Sequence, residues 1–187
     1  MTDLVAASKH LAFVLRHDPA SVGLALDPHG WVDVTALLAA LAAHGYPLST
    51  DELDRVVADG GKRRFERHDD RIRALHGHSV AVTPDGPPTT PPAALYHGTV
   101  ARFLPAIRAQ GLRPRQRRWV HLSDDPAVAS DVGARRGPPV VLRVDATAMH
   151  AAGHEFFRSG SVWLTAAVPP GYLTEPVYRA FDSRQRE

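Results

Sequence analysis

Apolar residues recur at helical spacing near the start of the chain. Leu11, Val14 and Leu15 within VAASKHLAFVLRH predict a helix over 5–17, and Asp18-Pro19 ends it. Gly30-Trp31-Val32-Asp33-Val34 reads as a short extended piece. An Ala- and Leu-rich helix then starts at Asp33 or Thr35 and stops at Gly45. Ser49-Thr50-Asp51-Glu52 carries the caps of a third helix, reaching about Ala58. Residues 63–67 and 71–75 alternate around His68-Asp69-Asp70, which predicts a β-hairpin.

Helix, strand, helix, helix, hairpin is the order of a winged helix. The stretch PDGPPTTPP, residues 84–92, cannot continue regular structure and reads as a semi-rigid linker. The pattern therefore divides the chain into a domain over 1–83, a linker over 84–92 and a second domain over 93–187. In the second half, Leu95-Tyr96 leads into a His97-Gly98-Thr99 turn, where glycine permits close approach of a backbone or a ligand. A helix over 100–110 follows, then a strand over 119–122 and a helix over 126–132. A nearly continuous apolar strand over 139–144, an apolar pair at Phe156-Phe157 and a strand over 161–167 complete the set. Strands and short helices without strict alternation predict an α+β class.

Charge changes this picture in one respect. The net charge of +2 is the sum of unlike halves: residues 1–92 hold nine Lys+Arg against twelve Asp+Glu, and residues 93–187 hold thirteen against eight. The acidic first half has almost no basic residue in its second and third helices besides Arg55, which argues against sequence-reading of DNA by a recognition helix. The chain has no cysteine, no run of eighteen apolar residues and no basic-then-apolar leader at its start. A cytoplasmic protein without membrane contact is the expectation.

The candidate chemistry centres on Arg113 to Asp125, RPRQRRWVHLSDD, in which four arginines precede a short strand bearing His121 and ending at Ser123. Planar guanidinium forks suit phosphate oxygens. Arg16 and His17, in the last turn of the first helix, read equally well as a cap that complements the helix dipole. The His76-Gly77-His78-Ser79 stretch lacks the further ligands a metal would need and reads as a turn. P-loop, G-x-G-x-x-G, H-E-x-x-H and G-x-S-x-G patterns are absent, and no carboxylate pair for glycosidase chemistry stands out. An arginine-rich, acid-poor site fits a substrate that brings its own anionic nucleophile and needs only positioning and neutralisation.

Seven motifs occur in order: Ser8-Lys9 with Leu11 and Leu15-Arg16-His17; Gly30-Trp31-Val32; Lys62-Arg63-Arg64-Phe65; Ile72-Arg73-Ala74 with Gly77-His78-Ser79; Leu95-Tyr96-His97-Gly98-Thr99; Val120-His121-Leu122-Ser123; and Val162-Trp163-Leu164-Thr165. In this the chain resembles the KptA/Tpt1 family of RNA 2′-phosphotransferases, from about residue 8 to 173. Two departures are Leu75-His76 before Gly77-His78-Ser79, where the family often has Asn-Gln, and Gly160-Ser161, where it usually has Asn-Gly.

The resemblance implies a winged-helix-like N-terminal domain and a C-terminal NAD-binding domain of ADP-ribosyltransferase type. It implies transfer of an internal RNA 2′-phosphate to NAD⁺, giving 2′-OH RNA, nicotinamide and ADP-ribose 1″,2″-cyclic phosphate, without a metal. The family's catalytic Arg-His-Arg-Arg set maps onto Arg16, His17, Arg64 and Arg117, with Arg118 and Arg135 as other candidates for the fourth. His97, His121 and Val162 match its His-His-apolar signature. Gly98, Thr99 and Ser123 would line the NAD pocket, with Asp124 and Arg135 nearby. The implied partner is RNA carrying a 2′-phosphate, tRNA-like or a shorter oligonucleotide, met by a monomer. The alternatives are an ADP-ribosyltransferase that caps terminal phosphates of RNA or DNA, and a nucleotide-sensing winged-helix regulator.

Overall fold

The computed structural model describes residues 3–58 and 64–174, so Lys62 and Arg63 lie outside the described residues. The chain forms two compact units. One comprises Met1–Asp85 with Gln116–Arg118, the other Gly86–Arg115 with Trp119–Glu187.

In the first unit, helix α1 spans Leu4–Arg16 and is capped by Asp3, whose carboxylate accepts from the Val5 and Ala6 amides. Its inner face buries Ser8, Leu11, Val14 and Leu15. Asp18 caps the 3₁₀ turn Pro19–Val22 that replaces further helix. Strand β1 is Val32–Asp33, and Asp33 caps helix α2, Val34–Ala43, through the Ala36 amide. Helix α3, Thr50–Ala58, begins with a reciprocal capping box: Ser49 N–H donates to Glu52 and Glu52 N–H to the Ser49 hydroxyl. Strands β2, Phe65–His68, and β3, Arg71–Ala74, form the hairpin, and the antiparallel sheet runs β1-β3-β2. Leu11, Leu15, Leu37, Leu41, Leu53, Phe65 and Ile72 fill one core between helices and sheet.

In the second unit, strand β4, Ala94–Val100, leads through a 3₁₀ turn at Ala101–Phe103 into helix α4, Leu104–Gln110. The single helix expected over 100–110 is thus two pieces, with Pro105 in the first turn of α4, where its missing N–H costs nothing. Strand β5 is Val120–Leu122, helix α5 Pro126–Ala134, strand β6 Pro139–Asp145 and helix α6 Ala146–Ala151. The strand expected over 161–167 is shorter: β8, Val162–Thr165, forms a hairpin with β7, Phe157–Ser159. Strand β9 is Leu173–Thr174. Two antiparallel sheets result, β4-β6-β9 and β5-β8-β7, joined where Tyr96 and Ser123 exchange both backbone hydrogen bonds. Mixed helices and small antiparallel sheets make the protein α+β. Among the described residues no helix is long and apolar enough to cross a membrane.

Two glycines set the approach of α5 to β4. A Cβ on Gly98 would sit 1.7 Å from the Ala129 carbonyl oxygen, and one on Gly133 would sit 2.9 Å from the Thr99 carbonyl oxygen. The close approach expected at Gly98 is therefore made by a helix backbone. Because a backbone cannot move aside as a side chain can, Gly98→Ala is expected to destabilise the second unit by about 3 kcal/mol, the upper end for overpacking. Urea unfolding followed by the fluorescence of Trp119 and Trp163 would measure the loss.

Candidate active site

The first cluster is built around the C-terminal end of α1. Asp18-Pro19 stops the helix one residue after His17, which leaves Arg16 in its last turn and His17 at its cap. The Arg16 carbonyl has lost its intrahelical partner there and instead accepts the Ser79 amide at 2.9 Å. This bond seats the 76–79 turn against the helix end. Gly77, at φ +92, lies against the Arg16 guanidinium, and an added Cβ would come within 3.7 Å of it. Ser79 also places its hydroxyl 3.0 Å from His17 Nδ1.

Arg64 enters from the start of β2. Its Nη1 donates to the Ser8 hydroxyl at 2.9 Å, while its carbonyl accepts from Arg16 Nη2 at 3.2 Å. Gln116–Arg118 completes the set, held to the turn by the Arg118 amide on the His78 carbonyl at 3.1 Å. Ser8, Lys9, Ala12, Phe13, Arg16, His17 and Arg64 line an open cleft of about 260 Å³, and no carboxylate is among these lining residues.

The electrostatics set this cluster apart. Arg67, Arg71 and Arg73 of the neighbouring hairpin meet carboxylates of Asp54, Asp27 and Glu66, and Arg73 also reaches Asp85 at 2.8 Å. Arg16 instead is pushed down to about 10 by burial and by the like charges of Arg117 and Arg64. It stays protonated at neutral pH, at a cost in repulsion that an anion would relieve. Burial, Arg16 and Arg117 lower the pKa of His17 as well, which favours its neutral imidazole.

No role for the turn, or for Ser8 and Lys9, was visible in the sequence. Ser8 had a usable signal, since a serine on the apolar face of a helix needs a partner, and Arg64 supplies it. Ser79 stood in one of the seven motifs, but its contact with His17 joins residues 62 apart and could not be read from spacing.

The second cluster lies on β4 and β5. His97 donates Nδ1–H to the His121 carbonyl at 3.0 Å, and His121 donates Nδ1–H to the Trp119 carbonyl at 2.9 Å. A carbonyl can only accept, so each ring carries its proton on Nδ1 and its orientation is fixed. Ser123 follows His121 at the Tyr96 bridge, and its hydroxyl accepts from the Asp125 amide. Val162, half-buried, begins β8 one step beyond the Leu122–Trp163 pair. Thr99 is buried, only 6% exposed. Asp124 is exposed and faces Arg158 at 3.8 Å, and Arg135 is at the far end of α5, as its C-cap. The structure thus brings His97, His121 and Ser123 together on adjoining strands. Among the described residues, no three His, Cys, Asp or Glu side chains gather to hold a metal.

Comparison with known proteins decides the family. The family model described as RNA 2′-phosphotransferase, Tpt1 / KptA family, matches residues 2–167. The chain belongs to this family. A relative from Streptomyces coelicolor, named Probable RNA 2′-phosphotransferase, is 57% identical over 173 residues, covering 92% of this chain and 95% of its own. Relatives of the same name from Streptomyces griseus and Agrobacterium fabrum are 56% and 52% identical, each covering 90% of this chain and 95% and 92% of their own. As in other RNA 2′-phosphotransferases by name, the chemistry to be explained is that of a phosphate, and the arginine cluster has the charge for it.

The 76–79 turn yields a pH prediction. Burial is the leading cause that pushes both His76 and His78 down to about 4, aided by Arg16 and Arg117 at His76 and by Arg16, His17 and Arg73 at His78. Both histidines bind protons more readily when the chain is unfolded, with an ordinary value of about 6.5. Their contribution to stability is therefore complete above about pH 6.5 and is lost as pH falls towards 4. The urea midpoint is expected to drop between about pH 7 and pH 5. A midpoint that rises or stays constant would contradict the assignment.

Proposed function

We propose that the protein removes an internal RNA 2′-phosphate by transferring it to NAD⁺, with Arg16, Arg64 and Arg117 holding the phosphate and His17 moving a proton. The observation that carries this reading is the crowding of Arg64 and Arg117 upon Arg16 beside a cleft whose lining includes no carboxylate. A phosphate monoester is already anionic at neutral pH and needs no general base to act as a nucleophile. The residues' task is to neutralise and aim it, which is the principal use of preorganised cations. On this reading the first unit is a winged-helix-like domain adapted to RNA phosphate, and the second an NAD-binding domain of ADP-ribosyltransferase type.

NAD⁺, when bound, supplies an electrophilic ribose C1″, nicotinamide as the leaving group and a 2″-OH that displaces the phosphate from RNA. His97 and His121 suit such a co-substrate because backbone carbonyls take their Nδ1 protons, which fixes both rings and puts the lone pair of each on Nε2. Ser123 offers a hydroxyl beside them, and Val162 an apolar wall for a planar ring. Gly98 and Thr99 support this site by fixing α5 against β4. The mechanism asks nothing of a metal, because the arginines supply the positive charge.

His17 is neutral at pH 7 and can accept a proton, while the Arg16 beside it stabilises the charge that develops on phosphorus oxygens. Arg16→Ala, Arg64→Ala and Arg117→Ala are each expected to lower kcat at least ~100-fold, the scale of losing one transition-state donor. Arg118→Ala, which keeps its backbone bond to His78, is expected to stay within a few-fold of wild type. The assay incubates the protein with NAD⁺ and an oligonucleotide bearing either an internal 2′-phosphate or a 5′-phosphate. Release of 2′-OH RNA and nicotinamide supports the proposal. A stable ADP-ribose adduct on the 5′-phosphate with no action on the 2′-phosphate would overturn it in favour of terminal capping.

A further inference from the structure

We propose that Ser79 is a positioning residue that sets the tautomer of His17 and so leaves its Nε2 to take the proton of the reacting ribose hydroxyl. Three contacts carry the argument. The Ser79 amide donates to the Arg16 carbonyl at 2.9 Å, which fixes the serine backbone to the residue preceding His17. The Ser79 hydroxyl can turn its own proton to the same carbonyl, 3.4 Å away, which also takes the Val80 amide at 3.4 Å. Its oxygen is then left to accept, and His17 Nδ1 lies 3.0 Å away. On this proposal the serine proton turns to the Arg16 carbonyl, and the proton shared by His17 and Ser79 sits on Nδ1. The lone pair of the neutral ring is thereby placed on Nε2.

This rests on the reading of His17 as the proton carrier in the proposed reaction. Once a 2′-phosphate oxygen has bonded to ribose C1″ and nicotinamide has left, the ribose 2″-oxygen forms a bond to phosphorus and the bond from phosphorus to the RNA 2′-oxygen breaks. The 2″ proton passes to His17 Nε2, and the same nitrogen returns a proton to the departing 2′-oxygen. An imidazole in the other tautomer would present an N–H to the 2″-OH and could not accept from it. The serine therefore governs whether the base is armed, without touching substrate itself. Serine proteases divide the same labour between a histidine that transfers the proton and an aspartate that holds the histidine in its working tautomer.

The test begins without substrate. Nitrogen-15 NMR of the histidine side chains is expected to show His17 in the Nδ1–H form in wild type. In Ser79→Ala it should shift towards the Nε2–H form, and Ser79→Thr, which restores a hydroxyl, should return it. In turnover, Ser79→Ala should lower kcat between about 10- and 100-fold, part of what general-base catalysis contributes, with KM for RNA unchanged and Ser79→Thr again restoring it. Ser79→Ala that keeps both the wild-type tautomer and the wild-type kcat, while His17→Gln is crippled, would overturn the role of Ser79 alone. Wild-type turnover by His17→Gln would instead overturn the reading of His17 on which it rests.

Discussion

The mutual repulsion of Arg16, Arg64 and Arg117 is the constraint around which the first unit is built. Like charges held at short range raise the energy of the folded chain, and burial of Arg16 adds to it. The fold withstands this by fastening the cluster to neutral, immovable groups: Arg16 to the Arg64 carbonyl, Arg64 to Ser8 inside the helix face, and the 116–118 segment to the His78 carbonyl. Hydrogen bonds to neutral groups satisfy donors without cancelling charge. Arg16 and Arg64 therefore retain their field, whereas Arg67, Arg71 and Arg73, a few residues away, spend theirs on Asp54, Asp27 and Glu66.

The second unit solves a different problem with the same economy. Its two strand histidines have fixed orientations, and backbone carbonyls provide them. That geometry depends on β4 keeping its register against β6 and its close seat under α5. Gly98 is thus structural in its immediate cause and, on the proposed function, bears on the site through His97. A side chain there would displace the strand that carries His97.

Much of this was legible along the chain. Helix α1 follows from the spacing of Leu11, Val14 and Leu15, and its end from Asp18-Pro19, so the placement of Arg16 and His17 at a helix terminus could be read directly. The capping box at Ser49 and Glu52 and the hairpin of β2 and β3 were equally local. What could not be read was which arginines would find carboxylates, since Asp54–Arg67 and Asp27–Arg71 are tertiary pairings. The service of the 76–79 turn to Arg16 and His17 was hidden for the same reason. So was the split of the 100–110 segment, where α4 begins at Leu104, later than the apolar pattern suggests.

The assignment of Gln116–Arg118 to the first unit has a consequence for how the two halves can be inherited. The polypeptide passes between units at Asp85–Gly86, again at Arg115–Gln116, and back at Arg118–Trp119. A fragment ending at residue 85 would own Arg16, His17 and Arg64 but not the segment bearing Arg117. Neither half, cloned by its linear boundary or joined to another protein, would carry the whole arginine cluster with it. A rearrangement that acts on contiguous sequence and cuts at residue 85 would separate Arg117 from Arg16, His17 and Arg64.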